Sequence, residues 1–104
     1  MAIKDWHEDD RPREKLLKFG ASHLSDAEIL AIFLRTGTQS QSAIELARHL
    51  INEFGTLAEL LAAPKETVLA CHGIGPAKYA QMLASLEMGT RYLDSKLKTG
   101  QALG

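Results

Sequence analysis

CHGIGPAKYA, residues 71–80, contains the tightest turn that the sequence predicts. Gly73 and Gly75 stand on either side of Ile74, and Pro76 then begins a segment with the pattern of a helix. Gly73 can adopt a positive φ at low cost, which a short turn between two helices requires. Ile74 can point inward and lock the turn to a core. We therefore predict a helix on each side of this turn.

Helix start signals recur along the chain. A hydroxyl residue followed three positions later by glutamate has the form of a capping box, in which each side chain bonds the other residue's amide. Three such boxes begin at Ser25, Ser42 and Thr56. Prolines that suit a first helical position stand at Pro12, Pro64 and Pro76. Glycines stand where helices should stop, at Gly20, Gly37, Gly55 and Gly73.

Apolar residues follow the helical period in the same segments. One face of a helix is formed by Ile44, Ala47, Leu50, Ile51 and Phe54. No segment alternates with period two over a useful length, so no strand is predicted. The predicted fold is all-α, a tandem helix-hairpin-helix domain with a connecting helix. Its helices are expected at residues 12–19, 26–35, 43–54, 57–62, 64–70 and 76–92.

The length and composition suit one domain with less regular ends. The chain has 104 residues, and 45% of them are apolar, enough to build a core. Residues 1–10 are predicted to be an acidic N-terminal arm pinned by Trp6, or else a ragged terminus with one packed aromatic. Residues 11–93 are the predicted helical domain. Residues 94–104 lose the helical period and are predicted to be a linker toward a further domain.

The charge balance excludes a simple basic DNA-coating protein, because 12 basic residues face 13 acidic ones. Outside residues 1–10 the balance is 11 basic to 9 acidic, so a local basic patch can form. A single cysteine, Cys71, excludes an internal disulfide and a multi-cysteine zinc site. We interpret it as a small core residue. The absence of a long apolar run or a leader predicts a soluble, cytoplasmic chain.

The turn at residues 72–75 has the features of a phosphate site. Gly75 has no Cβ, so the backbone amides at the start of the next helix face outward, where the helix dipole favours an anion. Lys78, about one turn in, can add a charged contact. The alternative is a plain turn between helices with no ligand. His72 is interpreted as a solvent-facing turn residue.

A second turn upstream, residues 34–42, is also rich in small, hydrogen-bonding residues. If the two units pack as a pseudo-twofold pair, both turns present backbone amides on the same side. Thr36, Gly37 and Thr38 would then form a weaker second phosphate clamp. Arg35 is either a phosphate partner nearby or a solvated charge at a helix C-terminus.

At this level of detail the chain resembles a known family. Residues 54–83 resemble the second half of a double helix-hairpin-helix domain of the kind found in repair and recombination proteins. More narrowly, the chain resembles the N-terminal domain of RadC-family bacterial proteins. The matching segments are residues 11–20, 24–38, 42–50, 54–57 and 73–80. The sequence departs from the pattern at Ser40, where the family often has glycine, and at Cys71-His72, where an apolar residue and proline are common.

The resemblance implies a DNA-repair-associated protein with a second, C-terminal domain. That domain would be JAB1/MPN-type and metallopeptidase-like, with a zinc site of two histidines and an aspartate. None of it is present in these residues, so zinc is expected only there. No cofactor is predicted in these residues. Related hairpins can hold a monovalent cation through their carbonyls, so a cation at Gly73–Gly75 is the one alternative.

The leading functional hypothesis is sequence-independent binding of duplex DNA without catalysis. The backbone at Gly73, Ile74, Gly75 and Ala77 would hold one phosphate, and Lys78 would supply charge. The alternative hypothesis is a protein-protein interaction or scaffolding module that kept the fold and lost the DNA surface. Catalysis by this part of the protein is not predicted, because no nucleophile and base stand at a meaningful spacing.

Overall fold

The structure, a computed structural model, describes residues 11–98 and is all-α over that range. Its helices are α1 (Pro12–Phe19), α2 (Asp26–Leu34), α3 (Ala43–Phe54), α4 (Leu57–Ala62), α5 (Lys65–Leu69) and α6 (Pro76–Lys98), with a short 3₁₀ turn at Ala21–His23. The predicted fold class and the six predicted helices are confirmed. The predicted arm at residues 1–10 and the last part of the predicted linker, residues 99–104, lie outside the described residues.

The end of α6 differs from the prediction. The helix was expected to end at residue 92 and instead continues to Lys98, into the segment predicted as a linker. One ion pair between residues four apart lies in this extension, with Lys98 Nζ 3.2 Å from Asp94, and a second lies just before it, with Arg91 Nε 2.9 Å from Glu87. Such pairs each add a few tenths of a kcal/mol to helix stability, about 0.2–0.5 kcal/mol. Leu93 and Leu97 also continue the apolar side of the helix, so both patterns favour the longer α6.

The core is built mainly where α2 packs against α3. Together the buried apolar residues come from five of the six helices and from the second turn: Leu30, Ala31, Leu34, Leu46, Ala47, Leu50, Leu60, Val68, Ile74 and Met82. Helix α1 contributes no buried residue. The α2–turn–α3 and α5–turn–α6 units are joined through α4, which contacts α3.

Hydroxyl caps define where three of the six described helices begin. Ser25 and Ser42 form complete capping boxes with Glu28 and Glu45 at the starts of α2 and α3. Thr56 accepts the Glu59 amide at 3.0 Å, so α4 is capped by the hydroxyl. These side-chain bonds occupy donors that every helix start leaves without an intrahelical partner.

Glu28 also attaches α1 to α2. Its Oε1 accepts the Ser25 amide at 2.8 Å, and its Oε2 lies 3.1 Å from Lys15 Nζ. The hydrogen bond from the Ser25 amide holds the pKa of the Glu28 carboxyl below its ordinary value, against partial burial, and Lys15 adds to the lowering. Because α1 buries no side chain fully, this charged contact is important for its position.

The first turn begins with an unusual backbone geometry. Gly37 was expected to stop α2, but the helix ends at Arg35, with φ 69° and ψ −46°. The Thr36 amide bonds the Leu34 carbonyl at 2.7 Å, which makes Arg35 the centre of a γ-turn of the rarer, strained hand. Gly37 has another role, since a Cβ there would overlap the Gln41 carbonyl oxygen.

The second turn is anchored as predicted. Gly73 has φ 98°, and Ile74 is 3% exposed. A Cβ on Gly73 would lie 2.8 Å from Leu46 Cδ2 and 3.3 Å from Thr38 Cγ2. Only a residue without a side chain therefore fits, and the close approach to Thr38 places the two turns side by side.

We expect Glu28→Gln to lower the free energy of unfolding by about 1–2 kcal/mol at pH 7. The native pKa of Glu28 lies below its unfolded value, so the stabilisation is present above the unfolded pKa and is lost as the pH falls through the native one. The deficit of the variant should shrink at acid pH. Urea denaturation from pH 7 to pH 3, with Glu45→Gln as the capping-box control, checks this. A deficit independent of pH would contradict it.

We expect Gly73→Ala to cost about 2–3 kcal/mol, because positive φ and overlap with Leu46 both oppose a Cβ. Gly55→Ala is the matched control, since Gly55 has φ 101° and open space around the Cβ position. It should cost about 1 kcal/mol, from backbone strain alone. If the two variants lose the same free energy of unfolding in chemical denaturation, packing against Leu46 contributes nothing to the cost at Gly73.

Candidate nucleic-acid interface

The start of α6 leaves backbone donors without partners. The Gly75 carbonyl accepts the first helical bond, from the Tyr79 amide at 3.0 Å. Pro76 has no amide hydrogen. In the part of the chain that the structure describes, the amides of Gly75, Ala77 and Lys78 have no acceptor. These donors and the partial positive charge of the helix end make a surface complementary to an anion.

The first turn of α6 differs in charge from the first turns of the three hydroxyl-capped helices. Helices α2, α3 and α4 each have a hydroxyl cap and glutamate in the first turn. Helix α6 has no acidic residue in its first turn and has Lys78 there, half-buried. A cation is disfavoured at the positive end of a helix dipole by about 0.3–1 kcal/mol. An external anion would offset that cost.

The surface in front of these amides is open. A Cβ built on Gly75 meets no atom within 4 Å, and the Gly75 backbone does not have a positive φ. Glycine at this position is therefore not required by the fold itself. His72 is exposed, in agreement with its interpretation as a turn residue.

Most backbone amides of the first turn donate hydrogen bonds within the turn itself. The Thr38 hydroxyl accepts the amides of Ser40 at 3.3 Å and Gln41 at 3.2 Å, and the Thr38 amide bonds the Gln41 carbonyl at 2.9 Å. The Thr36 amide is used in the γ-turn. Among the predicted clamp residues, Gly37 keeps an amide without an acceptor in the described range. The second clamp stays a prediction, with fewer donors than the first.

The structure brings the two predicted turns into contact at one point. Thr38 lies against Gly73, as the Cβ position of Gly73 shows. Arg35 is at the far end of the same loop and is exposed. The middle of the loop at residues 35–42 thus contacts the second turn, and the ends of the loop lie on a different part of the surface.

That part of the surface is a groove of about 300 Å³ between α1, the end of α2 and the start of α3. We call it the arginine groove. Its lining residues are Arg11, Pro12, Arg13, Glu14, Ala31, Ile32, Arg35, Ser42, Ala43 and Ile44. The sequence analysis missed Arg11 and Arg13. The available signal was the pair of arginines around Pro12 at a helix start, where acidic residues are the usual choice.

Helix α6 has an exposed apolar face. Leu83, Leu86, Leu93 and Leu97 lie on one side of the helix at 100° per residue, and they are 46%, 37%, 47% and 64% exposed. We call these four residues the α6 leucine face. It continues the side that packs on the core through Met82, and Leu86 borders an apolar groove of about 190 Å³ between α2, α4 and α6.

Other chemistry is sparse in residues 11–98. No three His, Cys, Asp or Glu side chains there are grouped closely enough to hold a metal ion. No described helix is long and apolar enough to cross a membrane. Cys71 packs against the core, with its Sγ 3.5 Å from the Thr67 carbonyl oxygen. Burial raises the pKa of its thiol, which agrees with a core residue rather than a reactive one.

Comparison with known proteins identifies the family. The sequence profile described as UPF0758 N-terminal matches residues 3–80. UPF0758 proteins of Psychrobacter cryohalolentis and Psychrobacter arcticus are 91% and 89% identical over 104 residues. One from Aeromonas hydrophila is 57% identical over 103 residues. The matches cover 99–100% of this chain and 46% of each relative.

No solved structure matches the chain. The profile match extends from residue 3 through the second turn, and the relatives match across 99–100% of this chain. By this sequence similarity the chain belongs to the UPF0758 N-terminal family.

Proposed function

We propose that this domain binds duplex DNA without reading its sequence, as the non-catalytic part of a RadC-like, DNA-repair-associated protein. The observation that carries the proposal is the start of α6, which combines three amides without acceptors, a glycine with open space at its Cβ position and Lys78 in the first turn. The backbone from Gly73 to Ala77 holds the phosphate. Such contacts place a protein on the duplex and carry no sequence information.

The net charge of −1 does not oppose this proposal. Backbone amides and helix dipoles attract phosphate without contributing to formal charge. With only a few phosphates contacted, affinity is expected to be weak and strongly salt-dependent. The log–log slope against salt should be about −0.9 for each phosphate neutralised on duplex DNA.

Duplex DNA is favoured over a single strand because stacking platforms are lacking near the turn. Proteins that hold single strands stack bases on exposed aromatic side chains. Tyr79, the aromatic residue nearest the second turn in sequence, is half-buried and packs against the core. The expected contact is therefore with the backbone of a duplex.

We expect Gly75→Asp to weaken duplex binding at least tenfold at low salt, which corresponds to the loss of about one charge-assisted contact. The new carboxylate would cap the free amides and repel phosphate. Aspartate is a favoured N-cap residue, so the melting temperature should stay the same or rise slightly. Fluorescence anisotropy with a labelled duplex at several salt concentrations, together with thermal melts followed by circular dichroism, measures both effects.

Gly89→Asp is the matched control for charge. Gly89 lies on the same helix with open space around its Cβ position, about 21 Å from Gly75 along the axis. It should leave binding nearly unchanged. If both variants weaken binding equally, the effect is general repulsion and the phosphate site at α6 is wrong. If the folded wild-type domain binds no duplex at low salt, the proposed function itself is wrong.

The α6 leucine face favours a second candidate function, docking of another protein segment. We infer that the occupant is the C-terminal half of the longer polypeptide, since this chain spans 46% of its relatives' length. The face lies at the end of the described residues, where that half would follow. Full burial of a leucine from full exposure contributes roughly 1.5–3 kcal/mol, and these four, which are 37–64% exposed, can each contribute part of that to a contact.

We expect Leu93→Glu with Leu97→Glu, made in a full-length relative, to increase cleavage between the two halves in limited proteolysis. Both changes place charges in an apolar interface. Met88→Glu is the control, because Met88 is 67% exposed on the opposite side of α6. Unchanged proteolysis in the double variant would contradict docking of the C-terminal half. Dimerisation of the isolated domain through these leucines would assign the face to a second copy instead.

A further inference from the structure

The arginine groove concentrates positive charge that is not neutralised within the domain. Arg11 and Arg13 come from the start of α1, and Arg35 comes from the end of α2. One carboxylate, Glu14, shares the lining. Across residues 11–98, no ion pair within 4.0 Å involves any of the three arginines. A near-neutral chain has thus gathered unpaired cations from two separate segments into one concave surface.

The start of α3 contributes free amides to the same groove, while its Glu45 carboxylate accepts the Ser42 amide. Ser42, Ala43 and Ile44 line the groove. The capping box occupies the amides of Ser42 and Glu45, whereas those of Ala43 and Ile44 have no acceptor in the described residues. Guanidinium groups present paired donors that match the oxygens of a phosphate, and helix amides favour the same ligand.

Arg35 is in a position that the fold would fill better with glycine. Its φ of 69° places an L-residue in a region of backbone strain. Its side chain is exposed and contributes nothing to the core. The arginine therefore costs stability at a turn where glycine is the usual residue.

We propose that the arginine groove binds a phosphate group of the same duplex that contacts the start of α6, an inference that rests on the proposed function. The loop from residue 35 to residue 42 connects the two places. It begins at Arg35 and ends at Ser42, both in the groove, and Thr38 in its middle lies against Gly73. A duplex across this loop meets both phosphate positions. The groove, rather than the internally bonded first turn, is the second contact.

Arg35→Gly gives a sharp test because it separates binding from folding. Removal of the strained side chain should keep or raise the melting temperature. Duplex affinity at low salt should fall about tenfold, and the salt slope should lose about 0.9, the contribution of one phosphate. A second variant, Arg11→Gln with Arg13→Gln, should weaken binding in the same way from the α1 side.

Arg48→Gln is the matched control, since Arg48 is an exposed arginine of α3 that does not line the groove. It should change duplex affinity by less than twofold. Equal loss in Arg48→Gln and Arg35→Gly would overturn the groove in favour of diffuse charge. Unchanged binding in both groove variants, with loss in Gly75→Asp, would also overturn the groove while the proposed function stands.

A titration with inorganic phosphate distinguishes a groove that binds free phosphate from one that binds the phosphates of DNA. Its titration into wild type and Arg35→Gly, followed by amide chemical shifts in NMR spectra, reports on the groove without DNA. Shifts of Ala43 and Ile44 only in wild type, together with duplex binding, would support the proposal. The same shifts without any duplex binding would overturn the DNA source and the proposed function together. No shifts and no loss of duplex affinity in Arg35→Gly would overturn the groove alone.

Discussion

The close approach of Gly73 to Leu46 and Thr38 is the constraint on which the arrangement of both turns depends. A Cβ would come within 2.8 Å of Leu46, so the second turn can sit this deep only with glycine. Ile74 then enters the core, and the chain emerges at Gly75 in position to begin α6. The same contact sets the first turn beside the second. Packing of a bare backbone segment therefore determines where the free helix amides are displayed.

The domain follows local stability rules at most helix starts and departs from them on its candidate binding surface. Helices α2, α3 and α4 have hydroxyl caps with glutamates in the first turn. The start of α6 has glycine and Lys78, and the end of α2 has Arg35 with a positive φ. Departures of this kind cost stability, and they concentrate at functional sites in real proteins. Here both departures favour the same ligand, an anion.

The contact between Lys15 and Glu28 holds α1 in place and thereby helps to position the candidate binding surface. Helix α1 buries no residue, and its start supplies Arg11 and Arg13 to the arginine groove. The pairing of Lys15 with a carboxylate already fixed by the Ser25 amide orients α1 on α2. A capping interaction, local in sequence, thereby helps to place two distant guanidinium groups beside Arg35.

The sequence by itself determined the helices and their caps, because Ser25, Ser42 and Thr56 act within one helical turn. It also predicted Gly73 and Ile74, since a tight turn between helices has few solutions. The sequence did not predict where α6 ends, the γ-turn at Arg35 or the internal hydrogen bonds of Thr38. In each place the local sequence is compatible with more than one backbone conformation, and contacts in the folded chain select one. Only the tertiary structure decided that Arg11 and Arg13 line the same groove as Arg35. Arg11 and Arg13 are 22 or more residues from Arg35 in sequence, and the packing of α1 on α2 brings them to one surface.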